Sequence, residues 1–335
     1  MTALSSTQRT VEVAESVEVL LRGVERREPL QTADSLSGSR FERVVIGGAP
    51  LIVKYLSLDD DWIMRATGDL GRRQLTLLSS GVLDALPGCI DHAIVGCAPF
   101  ITSRGHQGMA LLMRDVSAAL VPSGNEPIAR DLHRGFIDHM ASLHAHYWGF
   151  RDEHGLFPLA HHFVVLTPMM AALEAEFPHG DPVPPAVADG WRQLGERYPA
   201  LARRLVELAN DPWPLVTALR AGPQTLVHGD WKLGNLGSDG SRTILLDWDR
   251  TGEGPALLDL AWYLAVNCDR LPETKEDTIA AYRAALEAAG IAADAWWDAQ
   301  LAAALAGAFL QLGWSKTGDA TEFAWWSERL AAWQP

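Results

Sequence analysis

Hydrophobic positions change period several times along the chain. Over residues 11–27, Val13, Val17, Leu20 and Leu21 share one side of a helical projection, which predicts a short amphipathic helix. The period then shortens: Phe41, Val44, Val45 and Ile46 predict a strand, Gly47-Gly48 a tight turn, and Leu51 to Leu56 a second strand paired with the first as a hairpin. A helical stretch from Trp62 to Leu78 closes near Gly81. The apolar runs HAIVGCAPFITSR and MALLMRDV have the length and β-branched character of strands. Up to the LLMRDV segment the chain therefore reads as a small, mostly antiparallel sheet with one helix.

From Pro127 onward the pattern is helical, with Leu132, Phe136, Met140, Leu143 and Tyr147 at three- and four-residue spacing. HGDPVPPAVADG marks a loop or a helix start, and residues 190–220 are helical again. Strand character returns briefly in QTLVHGDWKLGNLGSDGSRTILLDWDR, as two short strands around a polar loop, and after Gly254-Pro255 the chain is helical to its end. The longest uncharged stretch, Ala299 to Ser315, is too short and too rich in small residues for a membrane span and reads as a buried helix. The expected fold is α+β with two lobes: residues 1–113 form a small, antiparallel-sheet lobe and residues 114–335 a larger, mainly helical one. A cleft between the lobes is the expected ligand site.

Composition narrows the function. Of 335 residues, 48 % are hydrophobic and 21 % charged, which excludes a disordered, collagen-like or coiled-coil chain. A formal charge of −14 and a pI of about 5.2 exclude nucleic-acid and anionic-membrane partners, which require a basic surface. The charge is uneven, with 13 acids against 11 bases up to residue 113 and 29 against 17 beyond it. Such an excess reads either as solubility of the larger part or as a field that attracts a cationic small molecule. Three cysteines without paired spacing and an N-terminus without a signal-peptide core point to a reducing, cytoplasmic location.

The chemistry concentrates between Leu226 and Arg250. His228-Gly229-Asp230 is followed by Lys232, Asn235, a Gly-Ser-Asp-Gly turn and then Asp247-Trp248-Asp249 at the end of an apolar run. A tight turn between two strands brings their outer ends together, so Asn235 and Asp247 can face one point. An amide oxygen and a carboxylate suit Mg²⁺, which keeps several waters and fills its remaining positions with phosphate oxygens. Asp230, five residues before Asn235, is placed to touch a hydroxyl approaching a metal-bound phosphate.

HGDWKLGN followed by ILLDWD resembles the signature of the aminoglycoside phosphotransferase and choline kinase family, small-molecule kinases with a protein-kinase-like fold. Protein kinases carry the related HRD-x-x-x-x-N and DFG. The resemblance implies that Asp230 orients the acceptor hydroxyl and takes its proton, that Lys232 reaches the transferred phosphate, and that Asn235 and Asp247 hold Mg²⁺. It implies that Asp259, in GPALLDLAWYL, braces the Asp230 loop; a carboxylate in the first turn of a helix is the plainer reading.

The lysine for the nucleotide phosphates is then Lys54, the one lysine of the small lobe and one of four in the chain. Ser37, Gly38 and Ser39 would let backbone N–H groups approach the phosphates. LLMRDV resembles the interlobe linker, with Met113 and Asp115 at the purine; Arg114 stands where the family often has an acid, which leaves ATP or GTP open as donor. No glutamate follows Lys54 in the next helix, and Gln74 or Asp69 is the expected partner. Twelve of the 13 tryptophans follow residue 140, and Trp325 and Trp326, with Glu322 and Glu328, are candidates for the acceptor pocket. The histidines between His133 and His162 read as core or surface residues rather than metal ligands.

The expected function is Mg²⁺-dependent transfer of the γ-phosphate of ATP or GTP to a hydroxyl of a small molecule, an amino sugar or amino alcohol. The alternative is a nucleotide-binding pseudokinase acting as a regulatory module.

Overall fold

The computed structural model describes residues 11–30, 38–69, 73–177 and 181–334. The N-terminal part is built on a six-stranded sheet. Its strands are β1 (Glu12–Val13), β2 (Val24–Leu30), β3 (Arg40–Ile46), β4 (Ala49–Ser57), β6 (Ile94–Ile101) and β7 (Gln107–Arg114), in the order β1-β6-β7-β4-β3-β2. β5 is the short Ile90–Asp91 strand outside this sheet. Only the β1–β6 pair is parallel; the expected β3–β4 hairpin forms with Ile46 opposite Ala49. Alternate residues Val44, Val53, Tyr55, Ala98, Ala110 and Leu112 bury one face against the helical turn α1 (Val17–Leu20).

The single amphipathic helix expected over residues 11–27 is a correction. The segment divides into β1, α1 and the first half of β2. Ser16 caps α1, Gly23 adopts a left-handed φ of +78°, and the chain then pairs with β3 from Val24. Cross-strand pairing supplies more hydrogen bonds than one isolated helical turn does. The helix expected over Trp62 to Leu78 is likewise two: α2 (Trp62–Thr67), closed by left-handed Gly68, and α3 (Arg73–Ser79).

The C-terminal part is helical, with α4 (Arg130–His146), α5 (Pro168–Glu174), α6 (Val183–Arg197), α7 (Pro199–Asn210) and α8 (Trp213–Arg220). After a polar segment come α9 (Leu257–Val266), α10 (Lys275–Ala288), α11 (Trp297–Leu312) and α12 (Ala320–Ala332). α9 and α11 are apolar nearly all round and form the centre of the core, as the uncharged stretch from Ala299 implies. No helix among the described residues is long and apolar enough to cross a membrane. The stretch up to Arg250 holds three strands rather than two, β8 (Thr225–Val227), β9 (Leu236–Ser238) and β10 (Thr243–Leu245), and a fourth, β11 (Gly252–Gly254), follows it. β9 and β10 form the hairpin, β10 also pairs with β5, and β8 pairs with β11.

The two parts are tied by Arg65 of α2, whose guanidinium forks onto Glu174 of α5, with Nη2 at 2.8 Å from Oε2 and Nε at 3.1 Å from both oxygens. Both side chains are largely buried, which makes this a geometrically specific junction.

Candidate active site

The segment from His228 to Asn235 carries almost no regular structure, so its shape depends on what its backbone groups bond to. Asp259, in the first turn of α9 and fully buried, accepts the His228 amide on Oδ2 and the Gly229 amide on Oδ1, both at 2.7 Å. His144 Nε2 lies 3.1 Å from the same Oδ2. The carboxylate therefore braces the loop rather than its own helix. Asn267, just past α9, accepts the Leu233 amide at 3.0 Å. Gly229 sits at φ +80°, where a Cβ would fall 2.4 Å from the Arg250 carbonyl oxygen; only glycine fits.

His228 connects this loop to the Asp247 turn. Its Nε2 donates to the Leu246 carbonyl at 3.0 Å and its Nδ1 accepts the Asp230 amide at 3.2 Å, which assigns the neutral tautomer. Burial lowers its pKa, outweighing the carboxylates of Asp259 and Asp230. The Leu246 amide in turn donates to the Asn235 carbonyl at 2.9 Å, and Leu236 is in register with Leu245. Asn235 and Asp247 thus flank the open end of the β9–β10 hairpin, as the spacing implies.

Asp230 is 5 % exposed and receives three side-chain donors. Trp262 Nε1 reaches Oδ1 at 2.9 Å; Asn235 Nδ2 at 2.9 Å and Lys232 Nζ at 2.8 Å reach Oδ2. Burial alone would raise its pKa, but Lys232 and Arg250 outweigh it and hold the carboxyl at about 2. Asn235 Nδ2 also bonds the Asp230 carbonyl at 3.0 Å, which leaves its amide oxygen as the outward-facing acceptor.

Asp247 has φ +59° and ψ +70°, a left-handed conformation that costs a non-glycine residue about 1–3 kcal/mol. From there its Oδ1 meets Lys54 Nζ of β4 at 2.5 Å. Burial would push the Lys54 ammonium down, but Asp247 and then Asp249 hold it above the ordinary lysine value. Asp249, two residues on, has no hydrogen bond or ion pair of its own among the described residues. Burial, followed by the neighbouring Asp247 charge, pushes its carboxyl well above the usual range. Two carboxylates and an amide oxygen around one lysine form an all-oxygen donor set short of positive charge, which fits Mg²⁺. Among the described residues no three His, Cys, Asp or Glu side chains gather into a metal cage of their own.

Sequence-expected residues and the structure differ at several points. Neither Gln74 nor Asp69 bonds Lys54: Gln74 is buried with its Oε1 unpartnered, and Asp69 accepts the Arg73 amide. The small-lobe acid whose charge Lys54 feels is Asp61, the N-cap of α2. Ser39 Oγ bonds Asp61 Oδ2 at 2.9 Å, and Gly38 packs so closely on the Asp60 carbonyl and Asp181 that no Cβ fits. Ser37 lies outside the described residues. Met113, next to last in β7, lies opposite Ile52 and Ile94, and Asp115 accepts the Ser117 amide and hydroxyl and faces Arg43. Arg114 is taken up by Asp91 at 2.5 Å.

Trp326 is buried with its N–H on Glu322, while Trp325 bonds Glu276 and lines a surface groove with Trp297 and Arg329. Those contacts stay within α10, α11 and α12 and touch no residue of the Asp230 loop. Of the histidines, His133 bonds Tyr263 and His162 bonds Arg250. Sequence reasoning passed over Trp262, Asp249 and Asp61; Trp262 lies one helical turn from Asp259, a spacing that places both on one face of α9.

Residues 178–317, which span the whole Asp230 loop, the Asp247 turn and α9, match the model of the family described as phosphotransferase enzyme family. Among solved structures, the choline kinase LicA from Streptococcus pneumoniae is similar at 12 % identity over 94 % of this chain and 96 % of its own, with a TM-score of 0.47. The aminoglycoside phosphotransferase APH(3'')-Id from Streptomyces rimosus is similar at 17 % identity over 85 % and 93 %, with a TM-score of 0.47. A microcompartment-associated aminopropanol kinase is similar at 15 % identity over 91 % and 89 %, with a TM-score of 0.46. No curated protein matches the chain. The likeness to the phosphotransferase enzyme family is thus carried by the 178–317 segment, which holds Asp230, Asn235, Asp247 and Asp259.

Proposed function

We propose that the chain transfers the γ-phosphoryl group of ATP or GTP to a hydroxyl of a small molecule, with the small lobe (residues 1–113) holding the nucleotide and the large lobe (114–335) the acceptor. The observation that carries this reading is the 2.5 Å pair between Lys54 and Asp247, which brings the small-lobe lysine to the turn beside Asn235 and Asp230. Lys54 serves the nucleotide phosphates and Lys232 the group in transfer, each as a point charge. Gly38 and Ser39 approach the phosphates, and the Met113–Asp115 backbone meets the purine. Asn235 and Asp247, with Asp249 beside them, hold Mg²⁺, which when bound neutralises charge on the phosphates.

Asp230 orients the acceptor hydroxyl and takes its proton as the new bond forms. A carboxylate with a pKa of about 2 is a weak base, so its contribution is placement more than basicity. The acidic excess of the large lobe favours a cationic acceptor such as an amino sugar or amino alcohol. The test is ADP or GDP release with Mg²⁺ across amino sugars, neutral sugars, amino alcohols and macrolides. Acceptor-dependent release with one class, lost in Asp230→Asn, is expected. Failure to bind either nucleotide overturns the reading.

A further inference from the structure

An ionised carboxylate offers about four lone-pair positions, two on each oxygen. On Asp230, Oδ2 has both filled, by Asn235 Nδ2 and Lys232 Nζ, whereas among the described residues Oδ1 receives only the indole N–H of Trp262. We infer that Trp262 is a positioning residue for phosphoryl transfer: it fixes the Asp230 carboxylate so that the remaining lone pair of Oδ1 receives the acceptor hydroxyl. The inference rests on the kinase reading of this site.

The indole suits that task because it is a donor only. It can hold a carboxylate in one orientation without competing for the incoming proton. Without it, Asp230 could rotate and present either oxygen, with Lys232 and Asn235 following whichever faced them. In the transfer step the acceptor O–H bond breaks with its proton going to Oδ1, the acceptor oxygen bonds the γ-phosphorus, and the bond to the nucleoside diphosphate breaks.

Trp262 is itself held on all sides. It is 6 % exposed and lies on α9, one turn from the Asp259 carboxylate that carries the backbone of the same loop. The Arg250 guanidinium stacks over its ring at 4.8 Å from the centroid. Arg250 is buried, makes no ion pair with a carboxylate among the described residues, and is held through Nη2 by His162 Nδ1 and Gln311 Oε1, each at 3.1 Å. The same guanidinium charge helps hold Asp230 ionised, and the surface it rests on is the indole face of Trp262. One helix therefore sets both the backbone of the Asp230 loop, through Asp259, and the orientation of its side chain, through Trp262.

The experiment compares wild type, Trp262→Phe, which keeps an aromatic ring and removes the donor, and Trp262→His, which restores a ring N–H. Each is assayed with Mg·ATP on the acceptor panel and on water as acceptor. Trp262→Phe should lower kcat about 10- to 100-fold, the worth of one hydrogen bond to a charged group, with KM for ATP within about twofold of wild type. Trp262→His should recover part of that loss. Independently, in ¹⁵N spectra of the full chain, Asp230→Ala should shift the indole N–H resonance that Trp262→Phe or Trp262→His removes. An unchanged kcat in Trp262→Phe, a loss matched in ATP affinity, or an indole signal indifferent to Asp230→Ala would overturn the inference while leaving the kinase reading intact. A wild type that transfers phosphate to no acceptor, water included, would overturn both together.

Discussion

Lys54 Nζ meets Asp247 Oδ1 at 2.5 Å, joining two residues 193 positions apart, one on a central strand of the small lobe and the other at a left-handed turn of the large one. The lysine side chain is 6 % exposed and the aspartate 37 %, so only the lysine depends on its partner to remain charged in the interior. Lys54→Met should therefore cost under about 1 kcal/mol of stability, because water can solvate Asp247 in its place. Titration calorimetry with Mg·ATP should show affinity reduced about 10- to 100-fold, the worth of a charge-assisted contact to phosphate. Wild-type affinity in the variant would remove Lys54 from the nucleotide site.

Asp230 couples the site to acid stability. Its folded pKa of about 2 lies below the ordinary 3.8, so it adds stability above pH 3.8 that disappears as pH falls towards 2. The full effect is roughly 2 kcal/mol. Urea midpoints measured from pH 6 down to pH 3 should fall less steeply in Asp230→Asn than in wild type. The same variant should turn over about 10²- to 10⁴-fold more slowly while binding nucleotide normally. Parallel acid profiles would show that Lys232 does not hold the carboxylate ionised.

Asp259→Asn replaces one carboxylate oxygen with an amide nitrogen facing either the His228 or the Gly229 N–H, each now held at 2.7 Å. A buried donor left without its acceptor, beside His144, should cost about 3 kcal/mol in a urea titration. Turnover should drop even where the variant is fully folded, since the loop carrying Asp230 loses its brace. Wild-type stability would mean that the loop holds its own shape.

Gly229 and Gly240 separate backbone strain from steric exclusion. Both have positive φ, +80° and +94°, but a Cβ at 240 meets nothing within 4 Å, whereas at 229 it meets the Arg250 carbonyl oxygen at 2.4 Å and His162 at 2.6 Å. Gly240→Ala should cost about 1 kcal/mol and leave activity intact. Gly229→Ala has to move backbone and should lose several times that, on the order of 3 kcal/mol, together with most turnover. Thermal melts of the two variants decide it; equal losses would show that the contact at 229 relaxes freely.

Local pattern was enough to read much of this chain. The β3–β4 hairpin, the β6 and β7 strands, the buried α11 and the spacing of Asp230, Asn235 and Asp247 follow from periodicity and turn chemistry that act over a few residues. Where elements compete for the same short segment, local pattern misleads. Residues 11–27 look amphipathic, yet Gly23 and pairing with β3 break the helix, because hydrogen bonds along a sheet edge come from residues distant in sequence. The polar segment behaves likewise: Val227 pairs with Gly252 rather than with the strand preceding Asp247.

The sequence by itself determined that a sheet-rich N-terminal part precedes a helical C-terminal part and how Asp230, Asn235 and Asp247 are spaced, since residue type and near-neighbour spacing encode both. Only the tertiary structure decided which charges meet. Lys54 pairs with Asp247 instead of Gln74 or Asp69, Asp61 at the start of α2 adds its charge from a distance, and Trp262 takes one oxygen of Asp230. Coulombic and hydrogen-bonding partners are selected by distance in space, and a chain of 335 residues sets those distances only once its helices and sheet have packed.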